Sequence, residues 1–184
     1  DTVVEAEVMG IESGGTTRGH RFHHPDPIPV SHPGAYASLL YSTGHVVADF
    51  AARRDMVRDQ LLEAGRQAGG HVVVDDDLLN EVTSMVEWPV AVTGQFDDEF
   101  LDLPTKALIA TMQGHQRYFH ILDDAGKLLP GFVTVSNIDS TNPTSVREGN
   151  ERVIRPRLQD ASFFVGNDLK TPLEARLAKL EDMV

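Results

Sequence analysis

Four histidines lie between residues 20 and 32, with Asp26 among them. Imidazole and carboxylate groups are ligands of zinc and other divalent metals, and several of them in one short segment can converge on an ion. On a strand, however, His20 and His23 point to opposite faces, because side chains alternate along it. Two interpretations stay open: a metal site on His20, His23 and His24, or a polar strand end whose histidines bond to backbone or solvent. The alternation favours the second, so we expect no metal site.

The segment GHQRYFH at residues 114–120 carries a second set of reactive groups at a predicted helix-to-strand turn. His115 has the chemistry of a general base, and Arg117 that of an anion clamp. No serine, threonine or carboxylate stands beside them to complete a nucleophile. Glu87 and Asp98 could reach them only through tertiary folding. We therefore expect no catalytic residue here and favour a structural or interface role.

The most basic stretch of the chain runs from residue 147 to residue 157 and has four arginines against two glutamates. On a helix, Arg152 and Arg155 share a face. The planar guanidinium group binds phosphates and carboxylates equally well. Arg147, Arg152, Arg155 and Arg157 therefore have two possible partners, a nucleic-acid backbone or the carboxylates of a neighbouring domain.

The composition limits what these residues can belong to. The sequence has 184 residues, of which 41% are hydrophobic and 24% charged, and this mix predicts a folded globular chain of one large or two small domains. The 28 acidic and 16 basic side chains give a net charge of −12, so any contact with nucleic acid must depend on a local basic patch. The absence of cysteine excludes disulfides and thiolate chemistry. No apolar run is long enough to span a membrane. The sequence begins without methionine and stops within a helical pattern, so we expect a fragment of a longer protein.

Strands and helices alternate along most of the sequence. The patterns predict strands at residues 3–9, 16–22 (pairing back on the first), 45–48 and 90–94, with a stiff proline loop at 25–29 between them. They predict helices capped by Ser31, Asp49 and Asp77, a helix that opens at Pro104, and a hairpin over residues 118–136. A helical pattern from Pro143 is interrupted at Pro156 and ends with Leu173, Leu177 and Leu180. Trp88 is interpreted as a core or helix-end anchor. The fold class is α/β, as a mixed (α+β) sheet flanked by helices, with a helical C-terminal extension.

Several strings, in this order, resemble the β subunit of the bacterial two-subunit type of glycyl-tRNA synthetase. They are RGHRF at 18–22, LLNEV at 78–82, VEWPV at 86–90, LP at 103–104, TMQGHQRYF at 111–119, LLP at 128–130, GNERV at 149–153, RPRL at 155–158 and DASFF at 160–164. Each string alone is weak, but their common order is specific.

The resemblance implies a cytoplasmic α2β2 assembly that charges glycine tRNA with glycine, using ATP and magnesium bound by the α subunit. It implies that this chain corresponds to a middle region of the β subunit, similar to the B3/B4 domain of the phenylalanyl-tRNA synthetase β chain. That domain would occupy residues 1–140, and residues 141–184 would form a helical segment leading to the next domain. The expected partners are the α subunit, glycine tRNA and a second β subunit, without a membrane. No cofactor is expected in this fragment, and the fragment alone is expected to have no activity.

Seven arginines are the predicted contacts with tRNA or with an adjoining domain: Arg18, Arg21, Arg117, Arg147, Arg152, Arg155 and Arg157. The alternative function is an editing hydrolase that acts on mischarged tRNA, since the similar phenylalanyl domain edits. Glycine is the smallest amino acid, however, so bulk alone excludes every competitor from a glycine site. We therefore expect an editing-like fold without an editing reaction.

Overall fold

The computed structural model describes residues 3–170, together with Pro172 and Glu174. The helical residues fall into five α-helices and two short 3-10 turns among the described residues. The helices are α1 (Tyr36–Ser42), α2 (Phe50–Gln67), α3 (Asp76–Met85), α4 (Thr105–Gln116) and α5 (Pro143–Lys170), and the turns are Pro33–Ala35 and Asp98–Asp102. None of the described helices combines the length and apolar character that crossing a membrane requires. The predicted leucines 173, 177 and 180 lie outside the described residues.

Eight strands in the described residues form three sheets. The strands are β1 (Glu7–Val8), β2 (Ile11–Glu12), β3 (Thr16–Arg18), β4 (Pro27–Pro29), β5 (His71–Val72), β6 (Val90–Gln95), β7 (Phe119–Leu122) and β8 (Leu128–Ser136). Two of the sheets are the antiparallel pairs β1-β2 and β3-β4, and the third is a four-stranded sheet of order β5-β7-β8-β6. Helices combined with antiparallel pairs and a C-terminal helix confirm the predicted fold class.

The chain divides into two compact units. Among the described residues, the first unit contains those up to residue 63 together with 74–91 and 135–141, and the second contains 64–73, 92–134 and those from residue 142 onward. The predicted boundary at residue 140 stays a prediction.

The core of the second unit joins α4, α5 and the hairpin β7-β8. The buried members of this cluster are Phe96, Phe100, Leu108, Met112, Tyr118, Leu128, Phe132, Ile154 and Leu158. Gly94 makes room for one of them, since a Cβ built there would lie 2.4 Å from the tip of the Phe132 ring. The predicted hairpin is confirmed, and its loop turns through Gly126, whose φ is +77°.

Helix α2 begins at the cap that the sequence predicts, whereas α3 begins at a different cap. Asp49 accepts the N–H of Ala52 at 2.7 Å, which confirms it as the cap of α2. The cap of α3 is Asp75, which accepts the N–H of Leu78 at 2.9 Å, so the choice of Asp77 was wrong. Three aspartates follow one another at this point, and sequence alone gives each the same capping chemistry. The 3-10 turn before α1 is likewise capped by His32 rather than Ser31, through its Nδ1 atom.

Residues 45–48 do not form the predicted strand. His45 has a left-handed backbone, with φ of +52°, which breaks an extended run at its first residue. The N–H of Val47 then donates to the Glu87 carbonyl at 2.9 Å, and the carbonyl of Val47 accepts from the Arg53 guanidinium. Isolated bonds of this kind satisfy the buried backbone without a ladder.

The proline segment that was predicted to be a loop is strand β4, and it pairs with β3. Residues 16–22 therefore do not pair with the first strand as predicted, because β1 pairs with β2 instead. Val30 donates its N–H to Gly15 at 2.8 Å. Since bonded pairs alternate along an antiparallel ladder, Pro27 and Pro29 occupy the positions that need no donor.

Helix α5 continues through Pro156, where an interruption was predicted. Proline removes one helical hydrogen bond and disfavours helical geometry in the residue before it. The buried side chains of Ile154 and Leu158 anchor the helix on both sides of this residue. Packing of the turns around Pro156 therefore outweighs its intrinsic cost.

Side chains cover the outer edge of β6, the last strand of the four-stranded sheet. Within the first unit, the amide group of Gln60 accepts the N–H of Ala91 at 2.8 Å and donates to the Pro89 carbonyl at 2.9 Å. Within the second unit, Glu151 of α5 accepts the N–H of Gln95 at 3.0 Å. Among the described strands, none pairs with β6 on this side, and these side chains bond to its free backbone groups instead.

Candidate nucleic-acid and partner interface

A buried histidine builds the turn that follows β3. The side chain of His20 is 0% exposed, and its Nδ1 atom accepts the N–H groups of Phe22 and His23, each at 3.3 Å. Its own backbone N–H donates to Gly44 at 2.6 Å, and its carbonyl accepts from His24 at 2.8 Å. Because Nδ1 accepts, the neutral ring carries its hydrogen on Nε2, which has no hydrogen-bond partner in the part of the chain that the structure describes. His20 therefore serves to hold this turn.

The turn presents two side chains to solvent. Phe22 is 66% exposed, and the Arg21 guanidinium lies 5.1 Å from the centre of its ring, which is cation–π distance. Arg18, at the end of β3, is also exposed. Neither arginine has an acidic partner among residues 3–170.

A row of aromatic rings continues from the turn within the first unit. His23 lies 4.8 Å from His20 and stacks on His45 at 5.1 Å between centres. The ring of Trp88 contacts two further rings. Its centre lies 5.2 Å from that of His45, in an edge-on arrangement, and 5.5 Å from that of Tyr41. The backbone N–H of Trp88 donates to Asn137 at 3.0 Å. Trp88 is therefore a half-buried anchor at the end of α3, as its interpretation from sequence had it.

The histidine nitrogens are engaged in ways that compete with metal binding. Nδ1 of His20 accepts two backbone hydrogens, and Nε2 of His23 accepts the N–H of Asp139 at 3.0 Å. No group of three or more metal-ligating side chains converges within the described ranges. Burial lowers the pKa of His23 below its usual 6.5, the nearby His20 and His45 lower it further, and Asp139 opposes them. The neutral form of this ring is thus the form that the structure uses.

Arg117 closes helix α4. Its backbone is left-handed, with φ of +57°, and its guanidinium donates to the Gly114 carbonyl at 2.5 Å. Cations near the last carbonyls of a helix interact favourably with its dipole. His115 is exposed in the same last turn. The predicted anion clamp is thus engaged by the helix end in this structure.

The four arginines of α5 fall into two pairs. Arg147 lies 3.9 Å from Glu151, and Arg155 makes a two-pronged ion pair with Asp97 at 2.9 and 3.1 Å. Arg152 and Arg157 are exposed and have no ion pair or hydrogen bond among residues 3–170, 172 and 174. The structure therefore brings two of the predicted contact residues to carboxylates and leaves two available.

A cleft of about 650 Å³ lies in the second unit. Its apolar lining includes Ile121, Leu129 and Pro130, and Arg147 and Glu151 contribute its charges. Those two side chains face each other, so they partly neutralise one another.

Tyr118 is buried against α5. Its hydroxyl donates to the side-chain oxygen of Asn150 in that helix at 2.6 Å, and its ring stacks on that of Phe132 at 4.3 Å between centres. Burial raises the pKa of Tyr118 to about 12. Tyr118 therefore stays protonated and acts as a structural donor.

Phe22 is the surface residue that the predicted contacts omitted. Its only signal in the sequence is a large aromatic residue between Arg21 and His23, in a segment rich in arginine and histidine. That pattern suits a buried strand residue as well as an exposed one, so burial decides between the two.

One protein family matches the whole chain. The sequence model of the family described as "Glycyl-tRNA synthetase beta subunit" matches residues 1–184. The protein named "Glycine--tRNA ligase beta subunit" from Hahella chejuensis is 48% identical over 184 residues, which is 100% of this chain and 27% of that protein. Proteins of the same name from Chromohalobacter salexigens and Coxiella burnetii are 50% and 52% identical over 182 residues, 99% of this chain and 26% of each relative. The chain thus spans about a quarter of the length of these curated relatives.

Proposed function

Because the chain belongs to the glycyl-tRNA synthetase beta subunit family, we propose that it is a non-catalytic segment of a glycine–tRNA ligase that binds and positions tRNA. The observation that carries the proposal is the family match along all 184 residues. Four of the seven predicted contact arginines support it, because they lack an acidic partner among the described residues: Arg18, Arg21, Arg152 and Arg157. In a chain of net charge −12, cations left unpaired at the surface are the groups that attract phosphate.

The reaction of the whole assembly is assigned to its other subunit. The partners are an α subunit, a second β subunit and glycine tRNA, in an α2β2 assembly of the cytoplasm. Joining an amino acid to RNA requires an activated carboxyl group, and the α subunit would supply it with ATP and magnesium. In this chain, His115 is exposed and the guanidinium of Arg117 is bonded to the end of its own helix, which supports a non-catalytic role. Since glycine has no smaller rival, an editing reaction here would have no competitor to remove.

A charge-reversal experiment in the full assembly tests the proposal. The variant Arg152→Glu with Arg157→Glu is compared with Lys106→Glu with Lys127→Glu, which changes the net charge equally at other exposed positions of the second unit. We expect the α5 variant to raise the KM for glycine tRNA and to reduce the slope of log affinity against log salt by about two units. The control should retain both values. An α5 variant indistinguishable from the control would remove these two arginines from tRNA binding.

A further inference from the structure

The turn formed by residues 19–24 is built more rigidly than its position outside any sheet requires. The imidazole of His20 takes the place of a peptide carbonyl and gathers two consecutive N–H groups, those of Phe22 and His23. The His24 N–H closes the turn on the His20 carbonyl. Three consecutive backbone donors are thus fixed around one buried residue.

Close backbone packing fixes the base of this turn. A Cβ at Gly19 would lie 2.6 Å from the carbonyl oxygen of Gly44, and a Cβ at Gly44 would lie 2.9 Å from the Leu40 carbonyl. Both positions therefore require glycine, and the two chain segments meet without side chains between them. The turn is anchored at the end of α1 by this close backbone contact, by the hydrogen bond from the His20 N–H to the Gly44 carbonyl and by the stacking of His23 on His45.

The rigid turn leaves its largest apolar side chain outside. Phe22 keeps 66% of its surface exposed, although burying an aromatic ring is among the larger gains in folding. The Arg21 guanidinium covers part of the ring at 5.1 Å and has no acidic partner among residues 3–170. A fixed backbone lowers the entropy cost of using these side chains in binding.

The surroundings of Phe22 favour an RNA base over a protein surface. Arg18 and Arg21 precede the ring in sequence, and charged groups are depleted from the cores of protein interfaces. An exposed planar ring beside unpaired guanidinium groups is what unpaired nucleotides use, because the base stacks on the ring and the phosphate pairs with the cation. The exposed Phe163 and Phe164 of α5 differ in this respect, since they contact each other at 5.7 Å between ring centres.

We propose that Phe22 and Arg21 form a stacking site for an unpaired nucleotide of RNA, held in place by the buried His20. The inference rests on the proposed function, because that function brings RNA to the protein. It goes further by assigning the kind of nucleotide, the stacking residue and the residue that positions it.

The test uses the full α2β2 assembly with two probes, a glycine tRNA transcript and a blunt RNA duplex without unpaired nucleotides. The variants are Phe22→Ala, Phe22→Leu, which keeps apolar bulk without an aromatic face, and Phe22→Trp, which keeps the face. We expect the alanine and leucine variants to bind the tRNA roughly 5- to 30-fold more weakly and the tryptophan variant to bind like the wild type. Binding of the duplex should not change. Unaltered thermal unfolding is expected for all three, because Phe22 is largely exposed.

Two results would overturn the stacking site. Tight tRNA binding by Phe22→Leu would show that a planar face is not needed. A loss of association between the subunits in Phe22→Ala, measured by sedimentation with RNA affinity unchanged, would make a protein the partner of this turn. Both results leave the Arg152 and Arg157 experiment unaffected, so the stacking site can fail while the proposed function stands.

Discussion

The turn of residues 19–24 and helix α5 both display arginines, but they hold them differently. In the turn, a buried imidazole and backbone bonds fix the chain, and the arginines take no part in holding it. In α5, Ile154 and Leu158 anchor the helix in an apolar core. Arg155 adds an ion pair with Asp97, so one of the arginines of α5 stabilises the fold and is not available for binding.

The difference separates cations that stabilise the fold from cations that are available for binding. The charge of a guanidinium group paired with a carboxylate is partly compensated by that neighbour, so a phosphate would have to compete with the carboxylate. A guanidinium group without such a partner can bind a phosphate without this competition. Counting arginines in a sequence therefore overestimates a binding surface, and their partners have to be known first.

Removing the imidazole of His20 should have the largest effect on this comparison. His20→Ala leaves two N–H groups without their acceptor and creates a cavity at a fully buried position, so we expect the free energy of unfolding to fall by about 2–4 kcal/mol. Urea unfolding followed by circular dichroism measures it. His20→Asn, whose side-chain oxygen can accept the same hydrogens, should recover part of the loss. If His24→Ala, at a partly exposed position of the same turn, costs as much as His20→Ala, the imidazole of His20 does not hold the turn.

Lowering the pH should weaken the turn more gradually. Burial, followed by the electrostatic influence of the neighbouring His20 and His45, keeps the pKa of His23 below 6.5, so the unfolded chain binds a proton before the folded chain does. This contribution to stability is complete above pH 6.5 and is lost as the pH falls through the lower pKa of the folded state. In the second unit, burial likewise lowers the pKa of His120, so this residue contributes a pH dependence of the same sign.

Two variants separate these contributions in urea unfolding measured at several pH values. His23→Gln should flatten the part of the pH dependence that comes from the turn, and His120→Gln the part that comes from β7. A pH profile that His23→Gln leaves unchanged would contradict the assignment to the turn.

The ion pair of α5 should give the smallest effect. Arg155 and Asp97 are both partly exposed, so a double-mutant cycle of Arg155→Ala and Asp97→Ala should give a coupling energy of about 0.2–1 kcal/mol. The Arg147–Glu151 pair, at 3.9 Å, serves as the reference and should couple still more weakly. A coupling above that range would make Arg155 a main support of the helix and would remove the contrast with Ile154 and Leu158.

Much of the secondary structure could be predicted because its signals are local. Asp49 before an apolar helical repeat and Gly69 after it define α2, and Gly69 has the positive φ expected of a helix end. The hairpin of β7 and β8 follows from two apolar runs around a glycine loop. Each of these features depends on residues within a few positions of one another.

The wrong predictions depend on distant partners. Residues 45–48 have the composition of a strand, but Val47 bonds to Glu87 and Arg53, which sequence separation hides. The prolines of β4 fit a strand only because of the register of β3 opposite them.

The candidate site could be predicted only in outline, because its residue types are local information and their contacts are not. The arginines are visible in the sequence, whereas the pairing of Arg155 with Asp97 and the exposure of Phe22 arise only from tertiary structure.

The side chains that cover the edge of β6 also bear on how the protein behaves at high concentration. A bare edge strand is a template on which a second molecule can add its own strand. Glu151 occupies the N–H of Gln95 only while the first turns of α5 are folded. Fraying of that helix would therefore uncover a growth point for polymerisation. Substitutions that loosen α5 should first be visible as concentration-dependent light scattering, before any change in the average helix content.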